Sequence, residues 1–217
     1  MDTKENVTYQ PEIFDVETIE EAKALILTPE DSSTDERWKT ETPYLVGMIV
    51  EKLGIKQNSV VLDYGCGIGR IALPLIAKTG CWVIGSDISP SMRALASSYC
   101  DEGTFCAVSP KMLMFLQRHG VQADAAFCVW TLQHCLKAVE DIARIAKFLK
   151  PSGKLLVVNS LGRFIPVNKG RWFDDHLSVP AALMEHFKLI EEGDCDAQFV
   201  VPTIQRESFW SVLEKVD

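Results

Sequence analysis

The sequence predicts an α/β protein with a mostly parallel sheet covered by helices on both faces. Three observations carry that expectation. Short apolar, β-branched runs alternate with helical stretches of about ten residues, the signature of βαβ units. The runs are almost continuously apolar, as strands buried on both sides must be. Serine–proline starts and glycine stops bound the helices.

The elements follow in order. Residues 17–27 have helical spacing, and 28–34 form a polar break. A helix from Asp35 to Leu53 carries Leu45, Ile49 and Leu53 as a buried stripe, closed by Gly54. Val60-Val61-Leu62 is the first strand, followed by a glycine turn and a helix from Ile71 to Thr79. Cys81 to Ser86 is the second strand, and Ser89-Pro90 opens a helix ending near Tyr99. Thr104 to Val108 is the third strand, and Ser109-Pro110 opens a helix closed by Gly120. Ala125 to Trp130 is the fourth strand, Ala138 to Leu149 a helix stopped at Lys150-Pro151-Ser152-Gly153, and Lys154 to Val158 the fifth strand. Beyond Asn159 the pattern loosens: 160–173 read as loop, 178–187 as helix, 187–191 and 197–201 as strands, and 205–215 as a last helix.

The chain has 217 residues, 47% apolar and 24% charged, which suits one soluble domain with a full core. Its net charge of −8 sits in residues 1–42, which hold 12 acids against 4 bases, while 43–217 are balanced. Residues 1–42 therefore read as an acidic helical extension or lid, and 43–217 as the main domain. No basic face is indicated, so nucleic acid is not an expected partner. No apolar run is long enough to span a membrane, and the polar, acidic start Met1 to Asn6 is not a secretory signal. The seven cysteines are odd in number and lack C-x-x-C spacing, which fits reduced thiols in the cytoplasm. Cys128, His134 and Cys135 come nearest to a metal cluster, but no metal is expected at that spacing.

The central signal is Val60-Val61-Leu62-Asp63-Tyr64-Gly65-Cys66-Gly67-Ile68-Gly69-Arg70. Glycines at alternate positions, after a buried strand and before a helix, let a ligand approach the backbone closely. A dinucleotide fingerprint needs a small residue where Arg70 stands, and a P-loop needs a Gly-Lys-Ser/Thr that is absent. Asp63 would repel a pyrophosphate and suits an ammonium. Asp87 ends the second strand, 18 residues past Gly69, where a carboxylate can accept both hydrogen bonds of a ribose diol.

At these residues the chain resembles the class I S-adenosylmethionine-dependent methyltransferases. The resemblance rests on Asp63 to Arg70, Asp87 with Ile88-Ser89-Pro90, Asp124 to His134, and Leu149 to Lys154, within residues 40–200. It implies a Rossmann-like seven-stranded sheet whose last strand is antiparallel, with the strands at 187–201 as the final hairpin. It implies S-adenosylmethionine as cofactor, with Gly65, Cys66, Gly67 and Gly69 in the turn, Asp63 near the ammonium, and Asp87 with Ile88 at the ribose. Many members carry an acid after the third strand that meets the adenine amine; Val108-Ser109-Pro110-Lys111 has none, so Ser109 or a backbone group substitutes for it, or Ser109 is a plain helix cap.

The loop after the fourth strand faces the transferable methyl in that family. Trp130 either covers the sulfonium or the substrate, or belongs to the core. His134 is the candidate general base, because its ordinary pKa lies near neutrality; in-line transfer from a sulfonium also proceeds by positioning alone. Two segments are expected to hold an acceptor. In 36–44, Trp38 is a candidate contact, and Arg37 faces solvent or pairs with the cofactor carboxylate. In 163–176, Arg163, Lys169 and Arg171 could receive an anion, Trp172 and Phe173 could stack on a ring, and Asp174 with His176 could act as a base. Size and charge favour a small-molecule acceptor. The competing reading is a non-catalytic, S-adenosylmethionine-binding or partner-regulating protein on the same fold.

Overall fold

The computed structural model describes residues 7–29, 31–100, 103–168 and 170–216; Lys169 and the polar start 1–6 lie outside the described residues. Two helices come first. Helix α1 (Ile19–Ile26) begins with a reciprocal cap between Thr18 and Glu21. Helix α2 (Thr34–Leu53) is capped by Ser33 and closed by Gly54 at φ 65°. It runs through position 42/43, and Leu45, Ile49 and Leu53 are buried as the periodicity predicts.

Five strands alternating with four helices follow: β1 (Val60–Tyr64), α3 (Ala72–Thr79), β2 (Trp82–Ser86), α4 (Pro90–Tyr99), β3 (Phe105–Val108), α5 (Pro110–Arg118), β4 (Ala123–Val129), α6 (Ala138–Phe148) and β5 (Leu149–Ser160). Ser89 and Ser109 cap α4 and α5 by accepting from the N–H groups of Met92 and Met112. The remaining elements are β6 (Ile165–Val167), β7 (Arg171–Phe173), α7 (Val179–Leu183), β8 (Phe187–Gly193), α8 (Pro202–Glu207) and β9 (Ser208–Lys215).

The main sheet has seven strands in the order β3-β2-β1-β4-β5-β9-β8. All neighbours from β3 to β5 are parallel, and β9 is antiparallel to both β5 and β8. This is the arrangement the resemblance implies. The central strands feed both cores, as their pleat requires. Val61, Phe127 and Leu156 pack toward α2 and α3, whereas Leu62, Ala126 and Leu155 pack toward α5 and α6. The order reverses between β1 and β4, where open α/β sheets form a crevice at the carboxyl ends of the strands.

After Asn159 the strand expected at 187–191 forms as β8, and the other expectations fail. Residues 160–173 contain the hairpin β6–β7, to which Tyr9 adds an antiparallel bridge at Val167. The helix expected at 178–187 is one short turn, α7. No strand forms at 197–201: Phe199 stacks on Tyr44 with ring centroids 5.0 Å apart, and Val200 is buried beside it. The helix expected at 205–215 ends at Glu207 as α8, and the rest is β9. Phe209 and Leu213 enter one core and Trp210 and Val212 the other, so burial on two faces imitated helical spacing.

Candidate active site

The turn after β1 is held from below. Ser86 O accepts hydrogen bonds from the N–H groups of Gly65 (2.7 Å) and Cys66 (3.1 Å). Gly65 sits at φ 82° and Gly67 at φ 52°, in the left-handed region that favours glycine. A Cβ on Gly65 would lie 2.1 Å from Thr131 Oγ1, and one on Gly67 would lie 2.9 Å from Ile26 Cδ1. The turn thus passes directly beneath the loop after β4 and against α1. Asp87 completes it, accepting from Gly67 N–H and Ser89 N–H at 2.9 Å each.

Above this turn lies a cavity of about 740 Å³. Asp63, Gly65, Cys66, Gly67, Asp87, Ile88, Trp130 and His134 all line it. Burial raises the pKa of Asp63 well above the ordinary carboxylate value, and the nearby Asp87 raises it further. Asp87 is also raised, chiefly by burial, with its two backbone N–H donors pulling the other way. Two desolvated carboxylates facing one cavity favour a cationic or hydroxyl-bearing ligand.

The cavity lining also includes two buried arginines. Arg37 is buried, not solvated: it donates to Glu41 from Nε (2.6 Å) and Nη2 (3.3 Å), and to Thr28 O from Nη1 (2.7 Å). Arg70, equally buried, donates from Nε to Thr42 (2.8 Å), and its Nη2 lies 3.7 Å from Glu41 without a hydrogen bond. Burial lowers its pKa to about 10. Both arginines line the cavity with one carboxylate between them, leaving a net positive end.

His134 occupies a different lobe. Its ring is flanked by Phe14, Trp172 and Phe164, at centroid distances of 5.6, 5.5 and 6.5 Å. Its Nδ1 lies 2.7 Å from Phe164 O. A carbonyl only accepts, so Nδ1 carries the proton and Nε2 keeps the lone pair. Burial lowers the pKa of the ring, and Arg163 adds to the effect. Arg163 cannot receive an anion. It is buried, donates to Leu132 O and to Cys135 O (2.7 Å), and forms a two-pronged pair with Asp175 at 3.0 and 3.1 Å. Its role is to hold the loop that carries His134.

Other sequence candidates lie away from the cavity. Gly69 packs on Cys100, and the Ser109 hydroxyl caps α5, leaving Pro110 to line the cavity. Trp38 is packed edge-on against Tyr99 and beneath the Arg70 guanidinium. Arg171 is exposed on the hairpin. His176 is exposed and pairs with Asp174 at 3.6 Å, outside the lining. Trp172 does line the cavity. Sequence reasoning missed Tyr9 and Phe14, which precede any periodic element, and Tyr64, Asp141 and Arg144, which look like ordinary strand and helix residues.

S-adenosylmethionine fits these residues by charge and by unfilled hydrogen-bonding capacity. Among the described residues, four buried side-chain atoms lack a hydrogen bond, and three of them (Arg70 Nη2, Ser86 Oγ and Trp130 Nε1) belong to residues of this cavity. Asp63 and Arg70 suit an amino-acid ammonium and carboxylate, and Asp87 suits a diol.

Comparison with known proteins agrees. A family model described as a methyltransferase domain matches residues 61–153. The O-methyltransferase resE of Aspergillus sclerotiorum is 23% identical over 97% of this chain and 81% of its own length. The demethylmenaquinone methyltransferase of Tropheryma whipplei is 32% identical over 48% of this chain and 43% of its own, so the chain spans less than half of that relative. The N-methyltransferase NodS of Bradyrhizobium japonicum, solved with S-adenosyl-L-homocysteine, superposes with a TM-score of 0.64 at 15% identity, covering 91% of this chain and 98% of that one. That likeness concerns the fold alone.

Proposed function

We propose that the chain is a class I S-adenosylmethionine-dependent methyltransferase and that it methylates a hydroxyl of a small, ring-bearing molecule held beside His134. When bound, the cofactor supplies a methyl group on a sulfonium, ready for displacement. The observation that carries the reading is the glycine turn flanked by two buried carboxylates on one cavity wall, with an aromatic lobe adjoining it.

Each residue then has a task. Asp63 takes the ammonium and Arg70 the carboxylate of the cofactor, while Asp87 takes the ribose diol beside Gly65, Cys66, Gly67 and Ile88. Trp130 covers the reacting centre, in a strained backbone (φ 56°) of the kind that marks functional loops. Phe14, Phe164 and Trp172 pack on an acceptor ring and exclude water. His134 Nε2 accepts the hydroxyl proton, and Arg163 holds its loop in position. Arrangement in line supplies the larger share of the acceleration, on the order of 7–11 kcal/mol. The fungal O-methyltransferase relative supports an oxygen acceptor.

Residues 7–28 cross the cavity mouth and act as the lid of an N-terminal extension. Asp15 accepts from Ser89 Oγ at 2.7 Å, and Gln10 N–H donates to Pro166 O at 3.0 Å, so this segment is tied to α4 and to the hairpin. No helix among the described residues is long and apolar enough to cross a membrane. The free thiols of all seven cysteines suit the cytoplasm.

Calorimetry with S-adenosylmethionine, followed by transfer of a labelled methyl to phenols, carboxylates and amines, tests the reading. Tight cofactor binding and a labelled phenol ether are expected. No affinity for the cofactor, or labelling of amines alone, would overturn it.

A further inference from the structure

We propose that Asp141, supported by Tyr64 and Arg144, accepts a hydrogen bond from the exocyclic amine of the cofactor's adenine, replacing the acid that β3 lacks. This rests on the cofactor assignment above. Successive strand residues point to opposite faces. Asp63 points to the α2 face, with Arg70, and Tyr64 to the α5 and α6 face. The cavity therefore has a lobe on each side of the end of β1. The first lobe has the charges of an amino acid. Asp87 lies near enough to raise both Asp63 and the Tyr9 hydroxyl, and that hydroxyl also lies near Asp141. A nucleoside with its diol at Asp87 and its amino-acid tail at Asp63 sends its base into the second lobe.

The loop after β3 offers that base no carboxylate, and the Ser109 hydroxyl is engaged as the cap of α5. Tyr64, Cys135, Asp141 and Arg144 line the same cavity as Pro110 and Ile88. The Tyr64 hydroxyl donates to Asp141 Oδ1 at 2.6 Å; Arg144 Nη1 donates to the Tyr64 oxygen at 2.6 Å and also contacts Oδ1. The carboxylate is thus fixed in place, its charge balanced, and still partly open to the cavity. A fixed carboxylate accepts from an adenine amine and repels the carbonyl oxygen that hypoxanthine carries at the same position.

Calorimetry of S-adenosylhomocysteine against S-inosylhomocysteine decides the matter. The native protein is expected to prefer the adenosyl form at least about tenfold, the scale of one hydrogen bond to a charged group. Asp141→Asn should abolish or reverse the preference, because its amide N–H can donate to the inosine oxygen. A structural role would weaken both ligands alike. An undiminished preference in Asp141→Asn, or equal losses for both ligands, would overturn the inference. Should Asp141→Asn fail to fold, Tyr64→Phe carries the test: a reduced preference is expected, and an unchanged one would refute it. Failure of the native protein to bind S-adenosylhomocysteine at all would instead refute the cofactor assignment.

Discussion

Gly65→Ala is the sharpest probe of the turn. Two costs add. The backbone at φ 82° disfavours an alanine by roughly 1–2 kcal/mol. The new Cβ would also stand 2.1 Å from Thr131 Oγ1 and 2.7 Å from Thr131 Cβ, so rotating that side chain does not relieve the overlap and the loop itself must move. Overpacking of that kind costs typically 1–3 kcal/mol. The variant should lose about 2–5 kcal/mol in urea unfolding, together with measurable affinity for S-adenosylhomocysteine, because the displaced loop carries Trp130 and His134. Thr131→Gly removes the obstructing atoms while leaving the backbone cost. In a double-mutant cycle, Thr131→Gly should therefore return the steric part, about 1–3 kcal/mol of favourable coupling. Strict additivity of the two changes, or native affinity in Gly65→Ala, would show that the turn and the loop are not in contact.

Three further outcomes follow from buried charge. Glu41→Gln leaves Arg37 and Arg70 without their shared carboxylate; a loss of about 3–5 kcal/mol in chemical denaturation is expected, and a loss under about 1 kcal/mol would mean that water screens the cluster. Asp63 has a folded-state pKa raised by burial, so its contribution to stability is present below the unfolded value and lost as pH rises through the folded one. Asp63→Asn should therefore raise the melting temperature of the ligand-free protein at pH 7 while weakening S-adenosylmethionine binding; a lowered melting temperature would contradict this. His134 has a depressed folded-state pKa, so its contribution holds above about pH 6.5 and is lost as pH falls through the folded value. Turnover of a hydroxyl acceptor should persist below pH 6.5 and then fall, and His134→Asn should remove that acid limb along with most of the rate. An unchanged pH profile in the variant would exclude His134 as the base.

The sheet from β1 to β5 was legible because its signals are local. Ser89 and Ser109 cap where serine–proline pairs stand, and Gly54 and Gly80 take the left-handed backbone that ends α2 and α3. The turn was legible because glycines at 65 and 67 answer to close backbone contact and to nothing else. Illegibility begins where tertiary packing overrides pattern. β9 lies inside the sheet with both faces covered, so its apolar residues no longer alternate with polar ones. Arg37 reads as a surface residue of a charged helix, and only the approach of Arg70 and Thr28 explains its burial.

The same division runs through the cavity. The stretch shared with the methyltransferase family model, 61–153, contains Asp63, Gly65 to Gly67, Asp87, Trp130 and His134. The rings that surround His134 come from outside it: Phe14 from the N-terminal segment, Phe164 and Trp172 from the region after β5. Those pieces are too short to be stable alone and hold their shape through few bonds, such as the Tyr9–Val167 bridge and the pairing of Thr8 with Asn168 at 2.8 Å. Such segments can change without disturbing the sheet, whereas the turn cannot accept even one methyl group. The lobe at the turn is therefore constrained by its own backbone geometry and the lobe around His134 by contacts between separate segments, so relatives that share the first can differ freely in the second.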